Sequence, residues 1–188
     1  MDFLIITGLS GAGKSRAADV LEDLDYYCVD NMPVQLLPQL ADVFSNMQSR
    51  YPRVALVTDI RAWSDASELL YVLEELRSQG LKIRVLYLHA DMRTLVKRYK
   101  ETRRRHPLES NTVSLEAAIR REMQILEPIR GLSQDVIDTT ATTLGGLKEK
   151  LDLKFGQKIS RRDLDHLVAR IYGTQAYDFV TYELQGDQ

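Results

Sequence analysis

Residues 8–15 constrain the fold of this chain more than any other stretch. They read GLSGAGKS, which fits the pattern G-x-x-x-x-G-K-[ST]. A short apolar and partly β-branched run at residues 3–7 precedes them, as expected of a buried parallel strand. A helical pattern of apolar residues follows, made of Ala17, Ala18, Val20, Leu21 and Leu24. A strand, a glycine-rich loop and a helix in this order are the context that identifies a phosphate-binding loop.

The residue types of this loop suit the binding of phosphate groups. Its glycines let the backbone turn sharply and bring N–H groups up to the phosphates, and the N-terminus of the following helix favours negative charge. We expect Lys14 to reach the β- and γ-phosphates of a nucleotide and the Ser15 hydroxyl to ligate Mg²⁺. The alternative is a glycine-rich turn with a chance Lys-Ser. The predicted nucleotide-contacting residues here are Gly8, Leu9, Ser10, Gly11, Ala12, Gly13, Lys14 and Ser15.

The composition limits the classes of protein to consider. The length of 188 residues suits one domain with a sizeable core. The net charge of −2 gives no general reason to expect nucleic-acid binding, so any polyanion site must be a local basic patch. The one cysteine, Cys28, cannot form an internal disulfide, and its apolar surroundings predict a core position. The sequence contains neither a long apolar stretch nor a signal peptide, so we expect a cytoplasmic protein without membrane contact.

Five short apolar runs alternate with helical patterns, the last of which covers residues 143–151. The runs lie at residues 3–7, 26–29, 54–59, 83–88 and 135–139. This alternation predicts an α/β fold in three layers, with a five-stranded parallel sheet between helices. We predict a nucleotide-binding domain at residues 1–152 and a tail at residues 153–188. Ser160 is a candidate cap for one helix in the tail, with Leu164, Leu167, Val168 and Ile171 as its apolar positions.

Two carboxylates follow predicted strands and therefore fall at the edge of the sheet where ligands bind. Asp59 ends an apolar strand, as in a Walker B segment, and can hold Mg²⁺ opposite Ser15 or simply cap the next segment. Arg61 is either at the rim of this site or solvated. Asp30 can orient an acceptor hydroxyl or a water, or it can stabilise a turn. We predict Lys14, Asp30 and Asp59 as catalytic residues, and Ser15 and Asp59 as metal ligands.

A basic segment, residues 93–105, follows the fourth predicted strand and contains seven basic residues and one acidic residue. Nucleotide kinases carry a lid at this place, and we predict that Arg103, Arg104 and Arg105 cover the phosphates, with Arg104 and Arg105 as nucleotide contacts. A second interpretation is that Arg103, Arg104 and Arg105 contact an RNA backbone. The third is a solvated helix face. His106 follows the arginines and is either a ligand contact or a structural residue.

Other residues and motifs give no functional signal. No constellation surrounds His89 or His166, which we interpret as structural or surface residues, and we interpret Trp63 as a packing residue. The guanine-reading motif N-K-x-D is absent, so the behaviour of a signalling GTPase is not indicated. The sequence has neither a Ser-His-Asp arrangement nor a His-Glu-x-x-His motif that would indicate a different chemistry.

Several strings outside the loop resemble one protein family. They are YCVDNMP at residues 27–33, DIR at 59–61, TRRRHPL at 102–108, SLEAAI at 114–119 and LEP at 126–128. Together with the loop, they resemble the RapZ/YvcJ family of bacterial P-loop nucleotide-binding proteins, which are described as RNase adapters. The resemblance covers roughly residues 1–150 and implies a kinase-like P-loop NTPase fold.

The resemblance also implies ligands and partners. It assigns ATP to residues 8–15 and GTP to Asp59, Ile60, Arg61 and Ala62, although Ala62 stands where some relatives have a polar residue. Weak hydrolysis and regulatory work with a protein partner are typical of the family. The family's second domain binds an amino-sugar phosphate and contributes to RNA binding. Residues 153–188 do not match that domain, so sugar-phosphate sensing is not carried over.

The sequence thus predicts a regulatory protein that binds ATP or GTP with Mg²⁺. We expect slow hydrolysis, because neither a partner arginine nor a water-positioning glutamine is evident. Two alternatives stay open. One is a small-molecule kinase that uses Asp30 as its base, and the other is an RNA-binding adapter module.

Overall fold

The computed structural model describes residues 2–47, 50–62 and 66–156 of the chain. Trp63, His166 and the helix predicted after Ser160 lie outside the described residues. None of the described helices has both the length and the apolar character needed to span a bilayer.

The described strands form one parallel sheet, which confirms the α/β prediction. The strands are β1 (Asp2–Gly8), β2 (Tyr27–Val29), β3 (Arg53–Val57), β4 (Ile83–His89) and β5 (Asp135–Asp138). They lie in the order β2-β3-β1-β4-β5, and every neighbouring pair is parallel. Strand β1 is central, and residues 3–8 are all buried. Both faces of β1 are therefore covered, as a parallel sheet requires.

At least one helix follows each strand, and two follow β4. The helices are α1 (Lys14–Glu22), α2 (Leu37–Asn46), α3 (Ala66–Ser78), α4 (Met92–Thr102), α5 (Leu115–Leu132) and α6 (Leu144–Phe155). Two 3₁₀ turns, Val34–Leu36 and Ile60–Ala62, connect elements at the carboxyl side of the sheet. Helix α1 packs beside α6, whereas α3 packs beside α2 and α5. The carboxyl ends of the strands face the loops that precede these helices.

Polar caps fix the first turns of the two helices near the basic segment. Helix α4 begins after Asp91, whose Oδ1 accepts a hydrogen bond from the Thr94 N–H at 2.6 Å. Helix α5 begins after Ser114, whose Oγ accepts from the Ala117 N–H at 3.3 Å. Each cap satisfies an N–H group that has no partner within the helix. Residues 103–113 therefore connect two helices whose starting points are set by sequence.

Helix α6 runs past the predicted domain boundary at residue 152. Its last residue, Phe155, is buried and packs edge-on against Tyr26, with ring centroids 6.4 Å apart. The Arg84 guanidinium stacks 4.5 Å from the Phe155 ring centroid, and Arg53 donates a hydrogen bond to the Phe155 carbonyl. The end of α6 is thus anchored to the amino-terminal side of the sheet.

Cys28 is half-buried in β2 rather than fully enclosed, because β2 is an edge strand. Its Sγ donates to the Ala18 carbonyl at 3.4 Å. Burial raises the pKa of the thiol to about 12, with nearby acidic residues adding to the effect. The thiol is therefore protonated at neutral pH.

Candidate functional site

The phosphate-binding loop connects β1 to α1 at the carboxyl end of the central strand. Gly8 has φ +127°, and a Cβ atom there would lie 2.0 Å from the Leu88 carbonyl oxygen. The Leu9 N–H donates to that same oxygen at 3.0 Å. The loop therefore leaves the sheet in close contact with β4, which only glycine permits at position 8.

Gly13 caps α1 with φ +100°, and a Cβ atom there would meet no atom within 4 Å. The requirement for glycine at this position is therefore conformational. Gly13 lines a cavity of about 660 Å³, a volume typical of small-molecule sites.

The cavity brings most of the predicted site residues together. The predicted residues that line it are Ser10, Gly11, Ala12, Gly13, Lys14, Ser15, Asp59, Arg61, Arg104 and Arg105. Gly8 and Leu9, which were also predicted to contact the nucleotide, are buried and do not line the cavity. Ile60, another predicted contact, is buried and does not line the cavity; it lies in the turn Ile60–Ala62, which follows Asp59 and contains Arg61. Arg103, which was predicted to cover the phosphates with Arg104 and Arg105, is exposed and does not line the cavity.

Asp30 is not among the residues that line the cavity. It is exposed after β2, and its Oδ1 accepts from the Asn31 N–H at 2.7 Å. Asn31 has φ +53°, so this contact stabilises a tight turn. This geometry matches the local alternative for Asp30, and its catalytic role stays a prediction.

The Lys14 ammonium lies inside the loop. Its Nζ donates to the Gly8 carbonyl at 2.8 Å and to the Leu9 carbonyl at 3.3 Å. Burial lowers the pKa of Lys14, whereas the negative charges of Asp59 and Glu122 oppose that shift. A weakly solvated cation at this point attracts phosphate groups more strongly than a hydrated one would.

Asp59 and Arg61 form a bidentate ion pair at the wall of the cavity. The Asp59 side chain is 10% exposed and that of Arg61 is 62% exposed. Burial alone raises the pKa of Asp59. The hydrogen bonds from Arg61 and the charge of Lys14 outweigh burial, so the net shift is downward. Asp59 therefore stays ionised at neutral pH.

Arg98 joins the loop to the segment after β5, a role that the sequence analysis did not assign. Its guanidinium donates to the Gly11 carbonyl at 3.0 Å and to the Thr139 carbonyl at 2.7 Å. The Thr139 hydroxyl donates to the Ala12 carbonyl at 2.9 Å. The available signal was helical spacing, because Arg98 lies three residues after the buried Leu95 and so on the same side of α4.

Glu122 is a second residue that the sequence analysis missed. Its side chain is 0% exposed, and it accepts hydrogen bonds from the Ser10 N–H and from the Ser10 hydroxyl. The signal was an acidic residue at helical spacing among apolar ones. Its neighbours on that face of α5 are Ala118, Ile119, Leu126 and Ile129.

His106 is buried beside Glu122 and away from the cavity lining. Its Nε2 lies 3.0 Å from Glu122 Oε2, and its Nδ1 accepts from the Leu108 N–H at 3.1 Å. We assign the proton to Nε2 from this network, since Nδ1 must keep its lone pair. The structural interpretation of His106 therefore fits the geometry.

A comparison with protein families shows which family this chain belongs to. The model described as the RapZ-like N-terminal domain matches residues 1–159. The chain belongs to this family. A nucleotide-binding protein from Desulforamulus reducens is 44% identical over 153 residues, covering 81% of this chain and 51% of the relative. One from Symbiobacterium thermophilum is 43% identical over 154 residues, covering 82% and 51%.

This RapZ-like chain spans about half the length of the curated relatives it matches. Its fold recurs in solved structures of P-loop proteins. A tunicamycin resistance protein from Deinococcus radiodurans matches with a TM-score of 0.59 and 17% identity, covering 84% of this chain and 96% of its own. Shikimate kinase from Acinetobacter baumannii, in complex with shikimate, matches with a TM-score of 0.54 and 18% identity, covering 81% and 92%. These likenesses confirm the kinase-like P-loop fold.

The residues that line the cavity can supply only some of the ligands that a Mg²⁺ ion needs. The described residues contain no cluster of three His, Cys, Asp or Glu side chains suited to a metal. Ser15 and Asp59 both line the cavity, but Arg61 already contacts both Asp59 oxygens. Mg²⁺ commonly uses one or two protein ligands and takes the rest from phosphates and waters. The donor set therefore fits an ion that arrives with a phosphate ligand.

Proposed function

We propose that this chain binds a nucleoside triphosphate, ATP or GTP, with Mg²⁺ at the loop of residues 8–15. The observation that carries the proposal is the buried ammonium of Lys14 at the base of a 660 Å³ cavity lined with arginines. The names of the relatives, nucleotide-binding proteins, support the same ligand class. Loop N–H groups and Lys14 would contact the phosphates.

Each wall of the cavity would then have its own role. Ser15 and Asp59 would hold Mg²⁺, which neutralises phosphate charge when it is bound. Arg104 and Arg105, both exposed at the cavity rim, would neutralise the outer phosphates. Because Asp59 and Arg61 of the predicted GTP segment line the same cavity, one triphosphate at a time is the simplest arrangement.

Hydrolysis would be slow. Asp59 is engaged by Arg61 through four hydrogen bonds and is poorly placed to act as a base. The described residues that line the cavity include no glutamine to orient a water. A protein with these features retains its nucleotide and suits a regulatory role. We extend this to a cytoplasmic adapter that acts on a protein partner such as an RNase.

Titration calorimetry with ATP and GTP, with and without Mg²⁺, tests the proposal. We expect Lys14→Ala to weaken the binding of the triphosphate at least 100-fold, because the buried cation is lost. Lys82→Ala, which removes an exposed lysine beside the opposite end of the sheet, is the matched control. Equal affinities for the wild type and Lys14→Ala would refute the assignment.

RNA contact through Arg103, Arg104 and Arg105 is a second candidate function. The observation in its favour is that Arg103 is exposed, adopts φ +52° at the end of α4 and lies outside the cavity lining. Arg103→Ala should weaken RNA binding in low salt while leaving nucleotide affinity unchanged. Absence of RNA binding in low salt would remove this function. The small-molecule kinase alternative is less well supported, because Asp30 does not line the cavity.

A further inference from the structure

Glu122 is a buried carboxylate whose presence the packing of the core does not explain. It occupies a core-facing position of α5, between Ile119 and Leu126, where an apolar side chain would fill the space. Burying an ionised carboxylate costs free energy unless hydrogen bonds offset the lost hydration. The donors that offset it come from two other segments, Ser10 in the phosphate-binding loop and His106 after the basic segment.

The contact with Ser10 fixes the shape of the loop. The Ser10 N–H lies 3.1 Å from Oε1 and 3.0 Å from Oε2, and the hydroxyl lies 2.7 Å from Oε1. This N–H points into the protein toward Glu122, so it is not one of those that face the cavity. The contact holds the tip of the loop against α5, more than a hundred residues away in sequence.

The contact with His106 fixes the segment that carries the arginines. Besides Glu122, the imidazole contacts the Leu108 N–H, and the His106 N–H donates to Glu109 Oε2 at 3.1 Å. The Tyr99 ring lies 5.2 Å from the imidazole centroid. Arg104 and Arg105 immediately precede this anchored residue. The position of His106 therefore limits where their guanidinium groups can reach.

We propose that Glu122 is a positioning residue that joins the phosphate-binding loop to the arginine-bearing segment, so that the two adopt their ligand-binding arrangement together. The proposal rests on the proposed function only in that both segments are taken to contact the nucleotide. The coupling itself is a property of the protein without ligand. Loosening one end of the Ser10–Glu122–His106 chain must therefore loosen the other.

Hydrogen exchange in the full chain without nucleotide, followed by NMR, tests this coupling. The reporters are the amides of Ser10 and Leu108, which donate to Glu122 and His106, and the amide of Val85, which donates to Gln134 Oε1 at 2.8 Å. We expect Glu122→Gln to accelerate exchange about tenfold at Ser10 and at Leu108, because an amide cannot accept from all three donors. Val85 should not change.

Ser10→Ala supplies a milder variant, because it removes the hydroxyl and keeps the Ser10 N–H that donates to Glu122. We expect faster exchange at Leu108, although the substitution lies about a hundred residues away in sequence. Asp135→Asn is the control for general loss of stability, since Asp135 is buried and paired with Arg84 and Lys154. Two results would overturn the proposal. One is faster exchange only in the segment that carries the substitution, and the other is an equal acceleration of exchange at Ser10 and Leu108 in Asp135→Asn.

Nucleotide titration of the same variants separates this proposal from the proposed function. Coupling predicts that Glu122→Gln weakens triphosphate binding about tenfold while the protein stays folded. A wild-type chain that binds no nucleotide would contradict the proposed function, and the exchange data would still decide the coupling. The ¹⁵N shifts of the His106 imidazole should report an Nε2–H tautomer in the wild type and a mixture in Glu122→Gln.

Discussion

The guanidinium of Arg61 holds both carboxylate oxygens of Asp59, with its Nη2 2.7 Å from Oδ2 and its Nε 3.1 Å from Oδ1. The Arg61 N–H adds a further hydrogen bond to Oδ1 at 2.9 Å. An acidic residue at the end of a strand beside a phosphate-binding loop is a potential metal ligand. Here the same carboxylate already has a cationic partner within its own turn. Asp59 would therefore hold Mg²⁺ through a water while Arg61 stays in place, because direct coordination would require Arg61, which is mostly exposed, to move away.

Removing the Asp59 charge should reduce stability in a pH-dependent way. The pKa of Asp59 is lowered on folding below the ordinary 3.8, so the carboxylate stabilises the fold above that pH. This contribution is lost as the pH falls through the folded-state pKa. We expect Asp59→Asn to lower the free energy of unfolding by about 1–2 kcal/mol at pH 7, and by less at pH 3. Urea denaturation at both pH values measures the difference.

Asp42→Asn, an exposed change on α2, is the control for this experiment and should stay within about 0.5 kcal/mol of the wild type. A loss for Asp59→Asn that is as large at pH 3 as at pH 7 would contradict a depressed pKa.

Alanine substitutions at two loop glycines should destabilise the protein for different reasons. Gly8→Ala places a Cβ atom 2.0 Å from the Leu88 carbonyl oxygen, so the loop or β4 must shift and the fold should lose more than about 3 kcal/mol. Gly13→Ala meets no neighbour, and its φ of +100° should cost about 1–3 kcal/mol. Thermal and urea unfolding rank the two. Gly131→Ala within α5 is the control and should be neutral or stabilising. Equal losses at Gly8 and Gly13 would argue against the steric explanation.

The paired variant Arg104→Ala/Arg105→Ala should weaken triphosphate binding about 5–50-fold without changing the free energy of unfolding. Both side chains line the cavity and are exposed, so their loss removes phosphate contacts and leaves the core intact. Titration calorimetry against ATP and GTP measures the change. Arg103→Ala, one residue away and outside the cavity lining, should keep wild-type affinity. A similar loss in Arg103→Ala would point to a general charge effect.

Phe155→Ala should destabilise the domain by about 3–5 kcal/mol, because the buried ring packs on Tyr26 and stacks with Arg84. A chain that ends at residue 152, the predicted boundary, removes the same ring and should be destabilised at least as much. A chain that ends at residue 156 should keep the ring and remain folded. Equal stability of the two truncated chains, measured by urea denaturation, would show that the end of α6 contributes little.

Much of the fold was predictable because its signals are local. The apolar runs and helical patterns predicted the succession along the chain of five strands and the helices between them. The cap at Ser114 followed from one residue type at one place. The end of α6 was not predictable, since Phe155 continues the helix through contacts with Tyr26 and Arg84, which are distant in sequence. Cys28 was interpreted as core, but β2 lies at the sheet edge, a placement that depends on strand order.

The candidate site, like the fold, has some features that the sequence predicts and others that it does not. The loop of residues 8–15 and the strand that ends before Asp59 are each a contiguous pattern, so the sequence alone determined that a phosphate-binding loop and a nearby carboxylate exist. Only the tertiary structure decided how the other polar groups of the site are paired. These contacts are the ion pair of Asp59 with Arg61, the hydrogen bond from Arg98 to the loop, and the hydrogen bonds that link Ser10, Glu122 and His106. A buried polar group finds its partner through space, and no spacing within the chain encodes which distant donor will meet it.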